Sequence, residues 1–436
     1  MRRVIVFFML FTLLATGPLV KAQAMSRDDA EWYARNLKEL TALYTHLHTN
    51  PELSFREEAT AKRIAEELRN AGLEVTTGVG KLGVVGTLKN GAGPTVLVRS
   101  DMDALPVKEE TELPYASKAT VTDPEGKTVG VMHACGHDIH MACLVGTARW
   151  LASHKDQWKG TVLFIGQPAE EMIGGAKAML ADGLYTRFPR PDAALALHVT
   201  HDLPVGSVAY TSGPALASST SVTVTIRGKG GHGAAPHSTV DPIFLASLVV
   251  IDLQSIVSRD VDPVQPCVIS VGSIHGGTKS NIIPNEVKLQ LTLRAYREDV
   301  RLQLLEGIKL RLKGLAQAHR APEALFVIEE TTAPTINTPA LVDRVLPALK
   351  KELGEDNVVM VEPVMGAEDF GLFSQGGVPT FMFRLGTIPR EKLAAAKAKD
   401  ETLPSLHSSK YFPDPAPSIQ TGVRAMTAAV VKLMAR

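Results

Sequence analysis

Within the nine residues from Met132 to His140, this chain places three imidazoles, a thiol and a carboxylate: His133, Cys135, His137, Asp138 and His140. Cys135 and His137 stand two apart around Gly136, which lets the backbone turn between them. Thiolate and imidazole are the ligands that borderline-soft divalent metals prefer. Downstream come adjacent carboxylates, Glu170 and Glu171, and two further histidines, His198 and His407. Adjacent side chains tend to diverge, so one carboxylate can bind metal while the other faces a water and moves its proton. These residue types point to a metal-dependent hydrolase.

Two other classes of function use the same residues. Cys135 could be a nucleophile with a nearby histidine as base. Alternatively, the chain could be a non-catalytic exported protein that captures a metal or ligand. His133 and His140 are expected to make structural hydrogen bonds rather than bind metal, and Asp101 has no assigned role.

The elements around these residues are legible from apolar patterning. Helices are expected over 28–48 and 57–70, the first stopped by Pro51 and the second closed by Ala71-Gly72. The nearly continuous apolar runs Thr95–Arg99, Thr161–Ile165 and Ala193–Leu197 read as strands covered by helices on both faces, hence a mostly parallel α/β sheet. Each leads into polar residues at its C-terminal end: Asp101 and Asp103, Glu170 and Glu171, and His198. Open α/β sheets bind ligands at that end. Asp138 is expected to cap a helix from Ile139 to His154, which would bring His137 to the same place.

From about Gly213 the pattern changes. Ser221–Arg227 alternates apolar and polar residues, and the order βαββαβ through Leu325–Glu329 suggests a ferredoxin-like sandwich. The expected organisation is residues 1–24 as an export signal, 25–212 and 331–436 as one catalytic domain, and 213–330 as an insertion.

The chain has 436 residues, with 46 basic and 46 acidic side chains. No basic excess points to nucleic acid. Met1-Arg2-Arg3, the apolar run Val4 to Leu14 and Ala22-Gln23-Ala24 have the layout of a secretory signal, so a periplasmic or extracellular protein without stable membrane insertion is expected. Cleavage after Ala24 leaves 43 basic against 46 acidic residues. The chain's three cysteines, Cys135, Cys143 and Cys267, cannot all pair with one another. Cys143 and Cys267 read as packing residues, whereas metal ligation would explain a persistent Cys135 thiolate.

Seven stretches, in order along the chain, resemble the M20 metallopeptidase family and its amidohydrolase branch: His48 to Ser54, Asp101 to Pro106, Met132 to His140, Gln167 to Glu171, Gly228 to His237, Asn281 to Pro284, and Glu368-Asp369-Phe370. The resemblance implies a zinc-peptidase-like catalytic domain with an inserted lid that also makes a homodimer. It implies two divalent ions, of Mn, Zn, Co or Ni, held by Cys135, His137, Glu171, His198 and His407, with Cys135 bridging. Glu170 is implied as general base, and His232 as a residue that reaches a neighbouring subunit's site and polarises the substrate carbonyl. Asn281 and Arg294 are implied to grip the substrate's carboxylate, and Asp103 is expected to orient a ligand. The implied reaction is hydrolysis of N-acyl or N-aroyl amino acids, with dipeptidase or carboxypeptidase activity as the close variant. The polar insertion at 117–130 and Met172-Ile173, where a glycine-rich stretch is usual, bear on specificity.

Overall fold

In the strand Thr95–Asp101, Val96 and Val98 face one side and Leu97 the other, and both sides are buried. The strands Gly160–Gln167, Ala193–Pro204 and Thr380–Ile388 divide in the same way: Phe164, Leu195 and Phe381 pack on one face, Leu163, Ala194 and Met382 on the other. Each fully buried Val, Leu or Phe contributes about 1.5–3 kcal/mol. The first face is covered by the helices Arg27–Thr49, Glu58–Asn70, His137–Ser153, Pro339–Leu353 and Pro415–Met434. Short helices carrying Ala176, Met179, Phe370 and Phe373 cover the second.

The computed structural model describes residues 26–122 and 126–435. The expected export signal at 1–24 lies outside these residues. So does the middle of the 117–130 insertion, whose described parts form a hairpin of Thr120–Thr122 against Thr128–Gly130.

Eight strands form the large sheet, in the order Glu74–Val79, Gly83–Asn90, Gly160–Gln167, Thr95–Asp101, Ala193–Pro204, Thr380–Ile388, Val208–Tyr210 and Val358–Met360. Its central strands, from Gly160–Gln167 through Thr380–Ile388, run parallel, and the antiparallel pairings lie to either side of them. Register decides where the chemistry gathers. Asp101 pairs with Gln167 and Arg99 with Ala196, so Asp101, Gln167 and His198 reach one level of the sheet. His198 does not end its strand as expected, because the strand continues to Pro204.

The second sheet has four antiparallel strands in the order Cys267–His275, Glu286–Ala295, Ser218–Arg227, Leu325–Thr332. This is the ferredoxin-like arrangement expected from the βαββαβ pattern. Val222, Val224, Leu289 and Leu291 pack against the helices Pro242–Ser255 and Glu298–Ala318 in a core of their own. The chain enters through Gly213–Leu216 and returns through Thr335–Asn337, and these two segments pair side by side. The Ser218 and Ala295 end of the small sheet is therefore next to the large one, and the Arg227 and Glu286 end is remote.

Candidate active site

Gly136 sits at φ +74, and a Cβ there would meet Val199 at 2.6 Å. A glycine is therefore required between Cys135 and His137, and the helix starts at His137 directly after it. Asp138 is not the cap expected from the sequence. Its carboxylate instead accepts from His48 Nδ1 at 2.7 Å, while His48 Nε2 lies 3.1 Å from Glu109. Burial opposes charge on this imidazole, but the two carboxylates outweigh it and hold His48 up at about 9. The resulting buried pairings tie the first helix to the turn that carries the site.

Cys135, His137 and His198 offer ligand atoms within 4.8 Å of one another, and so do Cys135, Glu171 and His407. Cys135 is common to both groups. Its sulfur lies 3.6 Å from His198 Nε2, His137 Nε2 lies 3.8 Å from Glu171 Oε1, and His407 Nε2 lies 3.6 Å from the same oxygen. His407 comes from a distant loop, held here because its amide donates to Ala134 O at 2.9 Å. All five proposed ligands are thus brought together.

The hydrogen bonds turn these groups inward, as metal ligation would require. His137 Nδ1 donates to Asp103 O at 2.8 Å, and His198 Nδ1 to Val199 O at 2.8 Å. Each ring therefore turns the lone pair of its Nε2 into the cluster. His137 Nε2, Glu171 Oε1 and Asp103 Oδ1 are buried without a hydrogen-bond partner. Asp101, Glu170, Glu368 and Asp369 are all buried around the guanidinium of Arg99, and Asp103 is buried beside His137. Orphaned donor atoms and surplus negative charge are what divalent cations satisfy. Burial, reinforced by Glu171, pushes the Cys135 thiol well up, so a cation is needed to make it a thiolate. Burial with His140 nearby takes His198 down to about 3, which makes it a poor base for a thiol nucleophile.

Glu170 is buried beside His137, with its Oε2 3.8 Å from His137 Nε2. Burial, with Glu368 and Glu171 close by, pushes its carboxyl well up. Asp103 does more than steady His137. Its Oδ2 accepts from Ser54 at 2.6 Å and from the Glu171 amide at 3.0 Å, so it also fixes the glutamate turn.

The supporting shell was largely not anticipated. Arg99, on the Leu97 side of its strand, bonds Gln167 at 2.8 Å, Asp101 at 2.7 Å, Glu368 at 2.7 Å and Asp369 at 3.1 Å. Burial works against its charge, and Glu368, Asp101 and Asp369 outweigh that. A charged residue ending an apolar strand was the available signal. Asp101 in turn accepts from His140 Nδ1 at 2.6 Å, and His140 Nε2 accepts the Val199 amide at 2.8 Å, which locks the backbone beside His198. Removing one partner of such a buried charge network leaves the others uncompensated. Arg99→Met is therefore expected to lower the unfolding free energy by about 3–5 kcal/mol, measured from urea denaturation midpoints.

His232, Asn281 and Arg294 lie on the inserted domain, outside this cluster. His232 pairs with Ile282 at the remote end of the small sheet, exposed, and its Nδ1 accepts from Ala234 N at 3.0 Å. Asn281 is adjacent to it, with its carbonyl accepting from Gly233 N at 2.8 Å. Arg294 pairs with Ser219 at the opposite end, near the junction. The eight steps from Glu286 to Arg294 span about 27 Å of strand. Asn281 and Arg294, expected to grip one carboxylate together, are not brought together within a single chain.

A parallel-centred sheet with a thiol, imidazoles and carboxylates gathered beside its strand ends, and a further buried glutamate among them, defines a metal-dependent hydrolase. The chain belongs to peptidase family M20/M25/M40, whose model matches residues 97–429. It is 40% identical over 350 residues to thermostable carboxypeptidase 2 of Saccharolobus solfataricus, covering 79% of this chain and 85% of that one. It is 38% identical over 379 residues to the hippurate hydrolase of Campylobacter jejuni, covering 86% and 91% respectively. Its structure matches Bacillus subtilis YXEP, a dinuclear metal-binding M20 peptidase, with a TM-score of 0.74 and 29% identity over 92% of this chain and 99% of that chain. The chain is an enzyme of this amidohydrolase and metallopeptidase family that acts on amide bonds with two divalent ions.

Proposed function

We propose that the enzyme hydrolyses N-acyl or N-aroyl amino acids to a carboxylic acid and a free amino acid. The similarity to a hippurate hydrolase over most of both chains is the observation that carries this reading. The carboxypeptidase relative, at 40% identity, supports the variant in which short peptides are cut. Turnover of benzoyl- and acetyl-amino acids should exceed that of plain dipeptides by at least about tenfold in kcat/KM. The reverse order in the same assay would assign a peptidase.

The proposed ligands are Cys135, His137, Glu171, His198 and His407. When bound, the two ions supply a Lewis acid for the carbonyl and a lowered pKa for water. Glu170 takes the proton from the attacking water and delivers it to the leaving amine, and burial, with Glu368 and Glu171 close by, strengthens its hold on that proton. Asp103 holds His137 and the Glu171 amide in place. His232 donates from Nε2, left free by the Ala234 contact, to the oxyanion. Arg294, with Asn281 from a second chain, binds the substrate carboxylate.

His232 and Asn281 project at the end of the inserted domain remote from their own site, so they serve the site of another copy. The surface that joins two copies is the unpaired edge strand Cys267–His275 and the helix Pro242–Ser255 beside it. That helix, continued to Asp260, is long and apolar enough to cross a membrane, yet it lies along the small sheet with Ile251 71% exposed. Its apolar face and the bare strand edge suit a two-fold pairing of identical chains. His232→Ala and Glu170→Gln should each be inactive alone. Mixed and reassociated, they should recover about a quarter of wild-type activity, since half the dimers then hold one intact composite site. No recovery after verified exchange would place His232 in its own chain's site.

Export through residues 1–24 completes the proposal. An amino-terminal sequence beginning at Met25 in protein recovered outside the cytoplasm supports it, and an intact Met1 there counts against it.

A further inference from the structure

The turn Pro168 to Gly175 carries both glutamates, and it is an unfavourable shape for the residues that form it. Ala169 sits at φ +48, where an L side chain crowds its own carbonyl. The carbonyl side of the turn is closed by Gly174 N and Gly175 N, both on Ala169 O at 3.1 Å. Gly175 is obligatory, since a Cβ there would stand 1.5 Å from Pro168 O. The amide side is held by a side chain from elsewhere: Ala169 N donates to Glu57 Oε1 at 2.7 Å.

Glu57 is fully buried, and its second oxygen has no hydrogen-bond partner. It directly precedes the helix Glu58–Asn70, where a carboxylate usually caps the first amides. That task is already done by Glu52, whose carboxylate accepts from Ala59 N at 3.2 Å and Thr60 N at 2.7 Å. Glu57 makes no capping bond and is left for the glutamate turn.

We propose that Glu57 is a positioning residue: by holding the Ala169 amide, its carboxylate fixes the left-handed turn that aims Glu170 and Glu171 at the metal centre. It touches neither substrate nor metal in this role. The inference rests on the assignment of Glu170 and Glu171 made above. A partner outside a metal ligand typically affects metal affinity or activity by 10–100-fold, and a short carboxylate-to-amide bond is well suited to that.

The test compares Glu57→Ala, Glu57→Gln, Ala169→Gly and the Glu57→Ala/Ala169→Gly double variant. Zinc affinity is read by competition with a chromophoric chelator, and kcat and KM at saturating metal. Glu57→Ala should weaken zinc binding by about 10–100-fold and lower kcat, with KM moving less than about threefold. Glu57→Gln keeps an oxygen that accepts the same bond and should stay within about threefold of wild type on both readouts. Glycine adopts positive φ without penalty, so the double variant should recover at least about tenfold of the zinc affinity lost by Glu57→Ala. A folded Glu57→Ala protein with wild-type zinc affinity and kcat would overturn the inference. So would a double variant no better than Glu57→Ala. Glu171→Ala serves as control: undiminished zinc binding in that variant would overturn the ligand assignment itself, and with it this inference.

Discussion

Glu170→Gln is expected to lower kcat by about 10²–10⁴-fold while leaving both metal ions in place. Glutamine keeps the size of the side chain but cannot take a proton from water. Glu170 also stands with His137 and Glu171 in a group that could hold an ion, but the hydrogen bonds that orient the His137 and His198 rings do not involve its carboxylate. KM should change little, because the substituted group acts on the water rather than on the resting substrate. The measurement is steady-state turnover alongside metal analysis of the same preparation. Retained turnover would mean that another group handles the proton, and lost metal would mean that Glu170 is a ligand.

Cys135→Ala is expected to take metal content from two ions per chain to nearly none, because Cys135 alone belongs to both ligand groups around it. His198→Ala and His407→Ala should each remove one ion preferentially. The two histidines differ in setting. His198 is on a central strand with its ring fixed by Val199 O, whereas His407 is exposed, at φ +67, on a loop. The ion in the His407 group should therefore leave first under mild chelation, with the ion in the His198 group following at higher chelator concentration. If Cys135→Ala retains two ions, the sulfur does not bridge them.

The elements were legible where periodicity was strong. The three apolar runs became the central strands, and the alternating block became the four-stranded sheet, because both patterns follow from which faces are buried. Cys135 and His137 could be read as ligands from type and spacing. His407 could not: it is placed by long-range contacts such as the hydrogen bond from its backbone amide to Ala134 O, across 273 residues, which no local pattern encodes. The holding residues were least legible. Arg99 and the adjacent Glu368 and Asp369 form a buried network between segments far apart in the chain, His140 makes the structural hydrogen bonds expected of it, and Asp138 looked like a cap because its pairing with His48 spans 90 residues. The separation of Asn281 from Arg294 also emerged only from strand register.

Metal reconstitution decides between water activation at this cluster and any metal-free chemistry. The protein is stripped by exhaustive chelation, and manganese or zinc is then added stepwise while hydrolysis of a benzoyl-amino acid is followed. The expected result is no turnover in the stripped protein and full recovery at two equivalents, with none when Cys135 is alanine. Full turnover in verified metal-free protein would contradict this reading of the site.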